Sequence, residues 1–564
     1  MKAYKISGNC KKYEKFKNHI IPFLLILLVL ALPQFRVWAA DTHPAVTSAR
    51  DAINENMIYA LSAFKSLLKG KKEIFLKGKS PDLDNISKTS EDARPWDLYE
   101  MGRNLIFSSS KSAKGAGILK SVTENYQDKT YTAALALLNT ARYHGFLLMD
   151  RARAIQIIEQ IEEFPANRVL DTAGFYKALF YLLDNRTDQA LKDFEKTAKK
   201  ISSPKDHKEI YHIYDDARYF TAWIKYSILN DTNTAQIDFN KLLNDYPGTP
   251  YKFAALYNLA RIRFNKKDFA TAENLFHRAL DACESQNEKL MCRDYLSALK
   301  PENREIALNK AAFGLTLDTK YAFKQIHDFN KFCRGLASSE KNSFLQARDY
   351  ISKNRESPFY TIALFLLAEK MRNANYTDQA RKVYEKLYLK KRGFTCSDEA
   401  EYCSVWLDSR GDDILQQRLE IFREKNILSF IVPMAEFYSA LITLEKMDTS
   451  LDIHIKRLKK NSLEFTQTAS FFEGINYLAK GEPERAINSF DTCIQGYFQS
   501  PLTDDAQFLM AETYYNENLL NKKVSRSDLN KSILMFRKII IDHHETEYKD
   551  ICLQRISALE SRKK

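Results

Sequence analysis

Ten histidines, eight cysteines and three aspartate pairs are the residues of this 564-residue chain whose types could do chemistry, and their spacing fits no active site. His543-His544-Glu545 sets two imidazoles side by side, whereas a zinc-binding helix needs its ligands at i and i+4 to share a face. A solvent-facing helix end accounts for that run. Asp215-Asp216, Asp412-Asp413 and Asp504-Asp505 fall at helix starts or in loops, where the helix dipole favours carboxylates that have no further task. The chain has no glycine-rich phosphate loop in a strand–loop–helix context and no nucleophile elbow. The expectation is a chain without catalytic residues, metal or cofactor. The competing reading is a secreted glycan-cleaving enzyme with a long helical-repeat region. Such an enzyme places a compact catalytic domain after its repeats, and here the last hairpin pattern ends a few residues before Lys564.

The elements that would position any binding residues are helices. The chain is 45% hydrophobic and 28% charged, which is globular, and its 16 glycines and 14 prolines are too few for a turn-rich all-β fold. Its length exceeds one ordinary compact domain but suits a repeat array. The net charge is +13; residues 1–39 carry seven positive charges and one negative, so the remainder holds +7 spread along the chain. That distribution argues against a nucleic-acid partner.

Residues 1–18 are lysine-rich, and Ile20 to Leu32 is an apolar run of thirteen, followed by Pro33 and the small residues Val37 and Ala39. This is the order of a secretory signal, with cleavage after Ala39. The alternative is an uncleaved inner-membrane anchor through residues 20–40, long enough to span but interrupted by Pro33, Gln34 and Arg36. Either reading places residues 41–564 outside the cytoplasm, in the periplasm or cell envelope. Ala49, Ile53, Met57, Leu61, Phe64 and Leu68 alternate three and four apart, an amphipathic helix over 46–68, and a polar linker runs to residue 95. In an oxidising compartment the spacings of Cys283 with Cys292 and of Cys396 with Cys403 suggest two local disulfides. Cys333, Cys493 and Cys552 are left over, so at least one thiol stays free.

Phe471 to Cys493 reads as two helices around a break at Lys480-Gly481-Glu482, with Gly474 and Ala486 as close-approach sites and Pro483 at the start of the second helix. The pattern recurs at Ala190, Ala235, Ala272 and Ala380, with an earlier unit around Ala134 to Pro165 and a last one marked by Phe536 and Ile539. Thr187 and Thr377 open identical TDQA tetrapeptides and suit helix caps. The separations give a period of about 35, with three units expected in each of the intervals 272–380 and 380–486. The chain thus resembles tetratricopeptide repeat proteins over most of 96–560. It resembles in particular the envelope subgroup found in outer-membrane assembly and cell-envelope coordination proteins. His544 departs from the proline usual in that subgroup.

The resemblance implies an all-α, right-handed α-solenoid of antiparallel helix hairpins and a non-catalytic scaffold. In that family the concave groove holds a protein or peptide. Fifteen residues before each second-helix alanine stand Phe175, Phe220, Tyr257, Phe365 and Phe471. One turn later stand Leu179, Ile224, Arg261, Glu369 and Ile475. An aromatic ladder with two charges, Arg261 and Glu369, is the expected partner face, and packing of the same rings between helices is the alternative. A membrane-anchored subunit of an envelope assembly or export complex is the other binding-protein reading.

Overall fold

The computed structural model describes residues 95–107, 111–125, 131–164, 168–199, 212–338, 343–390, 394, 396–407, 411–427, 429–446, 450–460, 463–496, 502–520, 525–543, 546 and 548–563. The expected signal or anchor, the helix over 46–68, the linker before residue 95, Cys10 and His544 lie outside them. Among the described residues there are 24 α-helices and no strand, and no helix is long and apolar enough to cross a membrane.

The chain divides into two compact units, a large one within residues 61–507 and a small one whose described residues fall within 508–563. In the large unit the helices run in order as α1 (Pro95–Ile106), α2 (Ser112–Asn125), α3 (Tyr131–Arg142) and α4 (Arg151–Ile161). Next come α5 (Arg168–Leu183), α6 (Thr187–Ala198), α7 (His212–Ser227), α8 (Thr232–Asp245), α9 (Lys252–Asn265) and α10 (Phe269–Asp281). They continue as α11 (Gln286–Ala298), α12 (Arg304–Ala337), α13 (Ser343–Lys353), α14 (Tyr360–Asn373) and α15 (Thr377–Glu385). The unit ends with α16 (Ser397–Leu407), α17 (Asp412–Lys425), α18 (Val432–Lys446), α19 (Leu451–Leu458), α20 (Leu463–Ala479) and α21 (Pro483–Gly496). Consecutive helices pack as hairpins, the all-α solenoid expected of tetratricopeptide-like repeats.

Six hairpins share one turn. Met149, Asn185, Asn230, Lys267, Asn375 and Gly481 have φ between 57° and 73°. Each lies five residues before a fully buried alanine: Ala154, Ala190, Ala235, Ala272, Ala380 and Ala486. A left-handed residue ends the first helix, and asparagine and glycine adopt that conformation most easily. The alanine amide then closes the first bond of the second helix, as in Ala190 N–H to Arg186 O at 3.0 Å and Ala486 N–H to Glu482 O at 3.1 Å. This confirms the early unit around Ala134 to Pro165. Asp150, Asp231 and Asp268 cap their helices through the amides of Arg153, Thr234 and Thr271. Thr187 and Thr377 do not cap. They are the first helical residues, and the cap positions fall on Arg186 and Tyr376, which make no side-chain cap bond.

The small sites are tight. A Cβ on Gly474 would lie 2.5 Å from the Phe490 ring, so α20 and α21 approach at glycine distance. Between Ala380 and Ala486 two further hairpins, α16–α17 and α18–α19, carry Leu415 and His454 where the alanine stands elsewhere. The three expected intervals are present there, hidden by larger side chains at the small site. Between Ala272 and Ala380 the regular period fails. That interval holds α11, the 34-residue α12 (about 50 Å long) and α13 in place of two further hairpins.

The large unit also packs on itself over long sequence distances. Trp96 stacks on Phe437 at 5.1 Å, and Tyr131 O–H donates to Phe430 O at 2.6 Å. Phe146 meets Phe329, Phe220 meets Phe359, and Tyr251 meets Phe394 at 4.8 Å. First helices of the early hairpins thus pack against α12, α14, α16, α18 and α20.

In the small unit, α22 (Thr503–Leu520, from Phe508), α23 (Arg526–Asp542) and α24 (Lys549–Lys563) enclose Phe536, Ile539 and Leu559. Phe508 stacks on Tyr548 at 4.0 Å, and Ser525 caps α23.

Candidate functional site

Four rings of the expected ladder are core. Phe175, Phe220, Phe365 and Phe471 are at most 2% exposed. The residue fifteen before the alanine faces the residue four after it across the hairpin. Phe175 meets Phe194 at 5.4 Å, Tyr257 meets Phe276 at 5.9 Å, Phe365 meets Tyr384 at 6.2 Å and Phe471 meets Phe490 at 5.8 Å. Phe220 lies between Phe175 and Phe194, stacked on the latter at 5.1 Å. Leu179, Ile224 and Ile475 are equally buried. The periodic aromatics therefore correct the expected partner face: filling the hairpins consumes their surfaces, because two short helices have few other large groups to close the gap.

Glu369 is also inside. Its carboxylate accepts from Arg372 Nη2 at 2.7 Å and Tyr384 O–H at 2.5 Å, with Arg103 Nη2 at 3.6 Å. Burial alone would push its carboxyl up; Arg372 and Arg103 outweigh that and hold it at about 2. Beside it, Glu399 takes Arg142 Nη1 at 3.0 Å and Arg103 Nη2 at 3.4 Å, while Arg372 Nη1 donates to Asn104 at 2.7 Å. All three arginines and both glutamates are buried. The cluster ties α1 and α3 to α14 and α16, so Glu369 has a structural place rather than a partner-facing one.

Cys396 and Cys403 do not pair. Cys396 caps the start of α16 and Cys403 lies seven residues along it, about 10 Å away, beyond the reach of a disulfide. Cys396 meets the Tyr176 hydroxyl at 3.5 Å, and Cys403 accepts from Arg103 at 3.1 Å. Cys283 and Cys292 behave differently: both are thiols, and each lies near enough to perturb the other's ionisation, one after α10 and one within α11.

Tyr257 and Arg261 are the two expected site residues that reach open space. They line a cavity of about 420 Å³ between α7, α9, α11, α12 and α14, a size within the range of ligand pockets. Nine of its lining side chains are aromatic, Trp223, Phe253, Tyr295, Tyr321 and Phe394 among them. Arg261 Nε donates to Tyr295 O–H at 3.1 Å, and its guanidinium lies 5.7–5.9 Å from the rings of Tyr226, Tyr257 and Tyr295. Tyr295 is backed by Phe276, stacked at 4.8 Å. Phe253 stacks on Tyr257 at 5.6 Å. Four polar lining groups, Ser227, Asn258, Gln325 and Thr361, make no side-chain hydrogen bond among the described residues. Ser227, Gln325 and Thr361 are at most 7% exposed. Sequence reasoning missed Gln325, Tyr321 and Tyr295 because they come from α11 and α12, where the repeat period is lost. Arg261, a charge on an otherwise apolar ladder, was the signal that reached the site.

No protein-family model matches the chain, and no curated protein matches it. Among solved structures it is similar to the APC/C hetero-tetramer Cut9–Hcn1, at 11% identity and a TM-score of 0.26, over 89% of this chain and 98% of that one.

Proposed function

We propose that the chain is a non-catalytic scaffold of the bacterial cell envelope that binds a segment of a partner protein in the cavity at Tyr257 and Arg261. The observation that carries this is the cavity: an aromatic pocket with one guanidinium set among tyrosines, while the rest of the expected aromatic face is packed against the chain itself. Tyrosine and arginine are the side chains that anchor protein interfaces most strongly. The envelope setting rests on the lysine-rich start, the apolar run Ile20–Leu32 and the small residues before Asp41. The span Ile20–Ala40, 21 residues, also supports the second reading, a membrane-anchored subunit of an envelope assembly or export complex.

The test is co-purification from crosslinked envelopes with the parent chain, Tyr257→Ser and Arg261→Ala. The proposal expects the captured partner to be lost from both variants while they keep the parent's helical content by circular dichroism, with some loss of melting temperature for Tyr257→Ser because its ring also packs on Phe276. Full retention of the partner would place the docking site elsewhere, and lytic activity of the purified chain on peptidoglycan would replace the scaffold with an enzyme.

A further inference from the structure

Taking the cavity as the docking site, we infer that it holds an extended, proline-containing peptide segment, gripped through its main chain by Gln325 and Asn258. Gln325 is 5% exposed, lies on α12 and makes no side-chain hydrogen bond among the described residues. Its carboxamide stays open to the cavity, where a bound segment can take up its donors and its acceptor. Asn258, on α9, is half-buried and likewise makes no side-chain hydrogen bond among the described residues. Each carboxamide offers donors and an acceptor, the same pair of functions that a peptide unit presents. Ser227 and Thr361 add hydroxyls, which likewise do both. An extended or polyproline segment has no internal hydrogen bonds and leaves its carbonyls open to such groups.

The side-chain preference follows from the rings and the rim. Phe253 and Tyr257, one turn apart on α9, form a stacked aromatic wall, and Tyr321 on α12, Tyr295 on α11 and Phe394 supply further rings. Aromatic-lined grooves suit proline, which is rigid, apolar and without an N–H to satisfy. The charges on the lining have both signs, Arg261 and Arg355 beside Glu284, Glu288 and Glu356, so the cavity complements neither a strongly acidic nor a strongly basic tail. A preordered polyproline segment also loses less freedom on docking than a flexible one.

The test titrates the purified full chain against a fluorescein-labelled peptide of alternating proline and alanine, read by anisotropy, with glycine in place of each proline as control. The expected result is saturable binding of the proline peptide and at least about tenfold weaker binding of the control. Gln325→Ala and Asn258→Ala should each weaken binding by about tenfold with unchanged melting, because neither side chain bonds within the fold. Equal binding of both peptides, no binding, or parent-like binding by both variants would overturn the inference. So would soluble peptidoglycan oligosaccharides binding in the peptide's place. If the peptide fails yet Tyr257→Ser still loses the crosslinked partner, only the segment's chemistry is wrong; if the partner is kept, the docking site itself is wrong.

Discussion

Arg142 and Glu399, 257 positions apart in the chain, meet as a buried ion pair at 3.0 Å. The pair belongs to a cluster in which Arg103 reaches both Glu399 and Glu369, and Arg372 holds Glu369 from its own helix. A simple repeat array has contacts only between neighbours. This cluster adds a closure, and it decides which inner surfaces remain for a partner.

Breaking the closure from one side should be costly. Glu399→Leu leaves Arg142 and Arg103 facing an apolar group, and removing one partner of a buried pair destabilises by about 3–5 kcal/mol. The double variant Arg142→Met with Glu399→Leu should recover part of the loss, since a matched apolar pair carries no desolvation penalty. Thermal melting of the three proteins checks this. A Glu399→Leu protein that melts like the parent would show that the cluster does not hold the large unit.

Gly474 gives the sharpest packing test. Its place for a Cβ is 2.5 Å from the Phe490 ring, and Gly474→Leu should cost about 1–3 kcal/mol by forcing α20 from α21. Gly474→Ala together with Phe490→Leu should melt closer to the parent than Gly474→Ala alone. Ala190→Leu, at the second-helix small site that Ala486 occupies in α21, should likewise force its hairpin apart and behave like Gly474→Leu. Parent-like melting of both leucine variants would refute the shared register.

The same register shows what was legible beforehand. Ala190, Ala235, Ala272, Ala380 and Ala486 declared themselves because small residues at a helix crossing leave a fixed spacing. Leu415 and His454 occupy the same place, but nothing in their types announces it. His454 is buried against Glu436 at 2.7 Å, a local solution that a periodic search cannot anticipate. The aromatic period was read correctly and its direction was not, because a ring fifteen residues before the alanine can face a groove or a neighbouring helix at identical spacing. The cavity depends on α12 lying against α7 and α9, a tertiary relation between segments with no common pattern. Only Tyr257 and Arg261 carried a periodic signal into it.

Stability should depend on pH through two buried acids of opposite sense. Asp215 is 1% exposed; burial pushes its carboxyl up to about 8, against the lowering effect of the Thr249 hydroxyl and of the Asp216 amide, which donates to it at 3.1 Å. Asp216, Tyr246 and Tyr251 are the titratable groups around it. Its ordinary value is 3.8, so the folded chain keeps a proton that the unfolded chain has released. Its contribution is therefore fully present below that ordinary value and lost as pH rises toward about 8. Glu369 is held at about 2 against an ordinary 4.5, so its contribution is present above 4.5 and lost as pH falls toward 2. Asp215→Asn should flatten the decline on the alkaline side and raise the melting temperature most near pH 8. A melting curve against pH that matches the parent's would remove Asp215 from the account.

Cys283 and Cys292 should form one disulfide where Cys396 and Cys403 form none. The first two thiols lie near enough to perturb one another, with Cys283 donating to Ala279 O at 3.3 Å. Burial raises both, Cys292 to about 12, so each is a protonated thiol near neutrality and attacks slowly without a thiol–disulfide oxidant. The bond would close the short loop that holds the Ser285–Glu288 capping box, and a loop of that length stabilises by about 2–3 kcal/mol. Non-reducing peptide mapping after equilibration with glutathione disulfide should show a 283–292 link, a higher melting temperature than the reduced chain, and no 396–403 link. Cys283→Ser should abolish the gain without changing the melting of the reduced protein. A 396–403 link would mean that α16 unwinds between those residues; absence of the 283–292 link would mean that the two thiols, though neighbours, are held with their Cβ atoms too far apart to bond.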